Sequence, residues 1–76
     1  MDTPANRKDP SVLDVVALLT DRPADALARG QVGTVMETLK GDAVLVEFSD
    51  DEGRPYAVVP CGRGELLVLH YEPQTA

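Results

Sequence analysis

Tryptophan is absent from the 76-residue chain, and the aromatic residues are Phe48, Tyr56 and Tyr71. An aromatic-lined peptide groove or a base-stacking platform therefore has little to be built from. Cys61 is the only cysteine, so no internal disulfide can form. His70 is the only histidine. One Cys and one His do not make a structural zinc site, which usually takes four protein ligands. No apolar run approaches the ~20 residues of a membrane span. The opening MDTPANRKDP lacks the apolar core of a signal peptide. A cytoplasmic protein with no membrane association is expected.

Positive charge is scarce as well. The formal net charge is −6, and residues 42–65 carry Asp42, Glu47, Asp50, Asp51, Glu52 and Glu65 against Arg54 and Arg63. Such a field repels phosphates, so nucleic-acid binding is disfavoured. A protein partner is expected, and a basic one is compatible with this field.

What is present is enough apolar residue for one small globular domain, 43% of the chain. A chain this short buries only roughly 60% of its unfolded surface, which leaves little room for an internal active site. Residues 1–10 read as a flexible leader, 11–71 as the domain and 72–76 as a flexible tail. VLDVVALLTD reads as a strand, on its short apolar run and paired valines. DRPADALARG reads as one short helical turn, with Pro23 at its start, Leu27 tucked inward and Gly30 as a left-handed stop. QVGTVMETL is a strand, Lys40-Gly41-Asp42 a tight turn, and AVLVEF a strand with Val44, Val46 and Phe48 on one face. SDDEGR is a hairpin loop with Gly53 as its left-handed residue. PYAVVP is an edge strand, CGRGE a turn, and LLVLHY the last strand.

Five short strands, one long early loop and tight turns elsewhere predict an all-β, five-stranded SH3-like barrel with one short helical turn in the first loop. In RGQVGTV, Gly30 turns the chain into the strand. Gly33 is expected to permit a bulge or kink that lets Val32 and Val35 both face inward. A phosphate cradle would need a helix after these glycines, and a strand follows instead.

DVVALLTD, P-x-x-x-L-x-RGQVGTV, VEFSDDEGRPYA and LLVLHY together resemble a family of small bacterial proteins catalogued as domain of unknown function 4926. The resemblance runs from about Leu13 to Tyr71 and implies an SH3-like barrel. PCGRGE departs from it, since a Thr-Leu stretch is expected there. The family brings no activity to transfer. It implies a protein-binding role, as an antitoxin, immunity or accessory subunit. More distantly, G-x-V-G-x-V resembles the opening of ribosomal and elongation-factor KOW barrels, which implies nucleic-acid binding as the alternative.

No catalytic constellation emerges. A Cys61–His70 dyad would lack a third, orienting group. Asp50, Asp51 and Glu52 lack the alternating oxygen ligands of a calcium loop, and Gly53 comes too early. These acids read as a solvated hairpin tip. Glu47 faces outward, and Arg54 is expected to answer it or Asp51 across the hairpin. Tyr56 is expected to pack on Arg54 or to cover the barrel end. The expected function is a non-enzymatic interaction module with no cofactor and no metal. Its expected contact patch is Asp50, Asp51, Glu52, Arg54 and Tyr56. Homo-oligomerisation is open to it through exposed strand edges.

Overall fold

The computed structural model describes residues 9–70. The strands are β1 (Val15–Leu18), β2 (Val32–Thr38), β3 (Ala43–Ser49), β4 (Pro55–Gly62) and β5 (Leu66–Val68). They form one antiparallel sheet in the order β4-β3-β2-β1-β5. A 3₁₀ turn at Pro23–Asp25 lies in the first long loop, and a second at Arg63–Glu65 leads into β5. The expected all-β architecture with its helical turn is therefore present. β4 and β5 stand at the two ends of the hydrogen-bonded order, so their ladder leaves the coiled sheet open.

Alternation explains the packing. β3 buries Val44, Val46 and Phe48 completely, as a two-residue period demands. Val16 and Leu18 of β1, Val35 of β2, Cys61 of β4 and Leu66 and Val68 of β5 join them in one core. Strands at opposite ends of the ladder thus share a single interior, which requires the sheet to coil. Each fully buried Val, Leu or Phe stabilises this core by about 1.5–3 kcal/mol.

The first loop is folded onto the core rather than trailing from it. Leu27 is buried, and Arg22 and Leu27 pair as an isolated antiparallel bridge. Ala26 ends the 3₁₀ turn with φ 60°, and Gly30 turns into β2 with φ 93°. The Arg22 guanidinium donates to Asp25 at 2.9 Å and to Glu65 at 2.6 Å, so it ties the loop to the second 3₁₀ turn. The pKa of Arg22 is raised, mainly by the bond to Asp25; partial desolvation opposes this and Glu65 reinforces it.

Four expectations are corrected. Val32 is exposed, and Gly33 is itself the buried residue alternating with Val35. The β2 bulge falls one step later, between Val35 and Glu37, and Met36 is the extra residue. Gly33 is needed for space instead: a Cβ there would lie 2.7 Å from Val46 Cγ1 and 2.8 Å from the Glu47 carbonyl oxygen. Cys61 and Gly62 belong to β4 and not to a turn, so the turn shrinks to Arg63–Glu65. The reason is pairing, because Val44 and Ala43 of β3 extend far enough to bind them. The last strand ends at Val68, with His70 exposed beyond it. Residues 1–8 and 71–76, including most of the expected leader, the tail and Tyr71, lie outside the described residues.

Candidate functional site

The β3–β4 hairpin carries the residues singled out by sequence. Its loop is built around Asp50. The Asp50 Oδ1 accepts hydrogen bonds from the backbone N–H groups of Glu52 and Arg54, each at 2.9 Å. The Asp50 carbonyl accepts from the Gly53 N–H at 3.0 Å, and Gly53 adopts φ 82°. An Asx-type loop followed by a left-handed glycine closes the turn without apolar burial. Asp50 is thus a structural residue of the tip as well as a charge on it.

Arg54 does not answer Glu47 or Asp51. Its guanidinium folds back onto Glu52 and lies 3.7 Å from the second Asp50 carboxylate oxygen. Against Glu47 the shorter span favours this, since Asp50 and Glu52 sit within its own loop. These groups are largely exposed, so the pairs contribute about 0–1 kcal/mol. Asp51 is exposed at the tip.

Tyr56 sits at a second irregularity. The register steps from Phe48 opposite Ala57 to Ser49 opposite Pro55, leaving Tyr56 as the unpaired extra residue of β4. Its hydroxyl accepts from the Gln31 amide at 2.7 Å, while the side chain remains 49% exposed. The ring is therefore tethered to the start of β2 rather than stacked on Arg54. Gln31 is the residue that sequence reasoning missed, because its role depends on contact across 25 positions of chain.

A shallow, open groove of about 420 Å³ adjoins the hairpin, lined by Val32, Thr34, Glu47, Ser49, Asp50 and Asp51. Three of these are acids, and no base lines the groove. Glu47 faces outward as expected from the alternation of β3.

Cys61 and His70 are not brought together as a dyad. Cys61 is 1% exposed and points into the core, and its thiol lies 3.9 Å from the Val59 carbonyl oxygen. Burial pushes the thiol pKa up, and nearby Arg22 only partly offsets this. A protonated, enclosed sulfur is a packing group rather than a nucleophile. Among the described residues, no three His, Cys, Asp or Glu side chains are placed to hold a metal ion. None of the described helical segments is long and apolar enough to cross a membrane.

The family model for a domain of unknown function, DUF4926, matches residues 12–68, and the chain belongs to that family. Neither a curated protein nor a solved structure matches it.

Proposed function

We propose that this member of the DUF4926 family is a non-enzymatic interaction module that docks on a protein partner in the cytoplasm, as an antitoxin, immunity or accessory subunit. The observation that carries the reading is the β3–β4 hairpin. Hydrogen bonds to Asp50 fix its shape, so Asp51 and Glu52 are displayed on a preformed tip beside the tethered, half-exposed Tyr56. A preformed patch lowers the ordering cost of association. Exposed rim acids speed encounter with a basic surface, and an amphipathic ring supplies the anchor. The alternative, nucleic-acid binding in the manner of a KOW barrel, runs against the same acids.

The test is co-purification from the native host with wild-type chain and with an Asp51→Lys, Tyr56→Ala double variant. Asp50 is left intact because it shapes the loop. The expected result is one stoichiometric partner that the variant loses while its folding is unchanged. Equal recovery by both chains, or a low-salt gel shift with RNA or DNA in place of a protein partner, would overturn the reading.

A further inference from the structure

Glu47 lies in the middle of an otherwise uncharged row. On the outer face of the sheet, Val15 pairs with Thr34, Thr34 with Glu47, and Glu47 with Val58. The neighbouring row runs from Leu67 through Ala17 to Val32. Val32, Val58 and Leu67 are each close to half exposed. The β1 sequence is apolar on both faces, VVAL, and Ala43 and Leu45 extend the apolar outer face along β3. A strand that is apolar on both faces is the pattern of a sheet covered on both sides.

The Glu47 carboxylate makes no hydrogen bond or ion pair among the described residues. The next charged side chain on that face, Glu37 opposite Leu45, is also an acid and also unpaired. By contrast, the guanidinium groups of Arg22, Arg54 and Arg63 are all held by acids of their own chain. The face therefore presents apolar area with anionic charge and no cation to balance it.

We infer that the outer face of β2 and β3, centred on Glu47 and continuous with the groove beside the hairpin, receives an extended segment of the partner protein whose sheet-facing residues, every second one along it, are apolar and basic in turn. This rests on the proposed docking function and names the chemistry of its partner. The apolar residues of such a segment cover Val32 and Val58, and a Lys or Arg meets Glu47 in a setting that excludes much of the water. A charge pair there discriminates between partners more sharply than one at the exposed rim. A second copy of this chain is the wrong occupant for the groove, because it brings a net charge of −6 to a surface that is already anionic.

The test uses a peptide acetyl-Val-Thr-Lys-Thr-Val-Thr-Lys-amide, which when extended presents Val and Lys in turn on one side, titrated into the full chain and followed by calorimetry and amide chemical shifts. The expected shifts fall on Val32, Thr34, Glu47 and Val58. Glu47→Gln is expected to weaken binding about fivefold or more, since it removes a partly covered charge partner. Val32→Ser is expected to weaken it about threefold through lost apolar contact. Asp42→Asn, the same charge change at the far end of β3, should cost less than about twofold. Equal effects of Glu47→Gln and Asp42→Asn would mean attraction to the overall field alone and would overturn the inference. So would a Glu-for-Lys peptide that binds as well. Co-purification separates the two readings. A partner retained by Glu47→Gln but lost by the Asp51→Lys, Tyr56→Ala variant would sink the sheet-face site and leave hairpin docking intact.

Discussion

Gly33 stands opposite Phe48 in the β2–β3 ladder, and a methyl group on Gly33 would lie 3.0 Å from the Phe48 ring. The same methyl would lie 2.8 Å from the Glu47 carbonyl oxygen, which is backbone and cannot swing aside. Gly33 thus lets Phe48 fill the interior at full burial. Gly33→Ala is expected to destabilise the domain by about 1–3 kcal/mol through overpacking. Urea denaturation checks this. An unchanged midpoint would show that β2 and β3 can separate without loss.

Asp50 closes the hairpin through its side-chain oxygen, so geometry and charge can be separated there. Asp50→Ala removes both hydrogen bonds and is expected to cost about 1 kcal/mol, as the site is exposed. Asp50→Asn keeps an acceptor oxygen in place and should stay within about 0.5 kcal/mol of wild type. The comparison of denaturation midpoints decides it. Equal losses would assign the stability to charge rather than to the loop bonds.

Cys61 predicts an alkaline dependence. Burial raises its folded-state pKa above that of the unfolded thiol, so the folded chain binds this proton more tightly. The resulting stability is fully present below the unfolded value, about 8.5, and is lost as pH rises toward the higher folded value. Melting temperature should therefore fall above about pH 8.5 in wild type, and Cys61→Ala should flatten that decline while lowering stability at all pH values. A thiol reagent should label the native chain slowly and the urea-unfolded chain fast. Rapid native labelling would contradict the enclosed position.

Much of the fold was legible because its signals are local. The alternation of AVLVEFS assigns Val44, Val46 and Phe48 inward and Glu47 outward, and the structure agrees at all four. Gly30, Gly41 and Gly53 sit where turns need positive φ. Pro23 opens the 3₁₀ turn as its fixed φ favours. The acidic tip was visible as composition, and membership of the DUF4926 family through RGQVGTV and VEFSDDEGRPYA.

The rest depended on which strand lies beside which. Sequence placed a glycine at 33 but assigned it a bulge or kink, because the crowding comes from Val46, Glu47 and Phe48 on another strand. It put Cys61 in a turn, because only pairing with Val44 extends β4 that far. It sent Arg54 toward Glu47 or Asp51, whereas the guanidinium settles on Glu52 and Asp50 of the loop. Side-chain period and turn chemistry are set by neighbours along the chain, so the sequence alone determined the elements and their inward faces. Steric crowding, register and the company kept by Glu47 and Tyr56 arise between strands distant in sequence, and only the tertiary structure decided them.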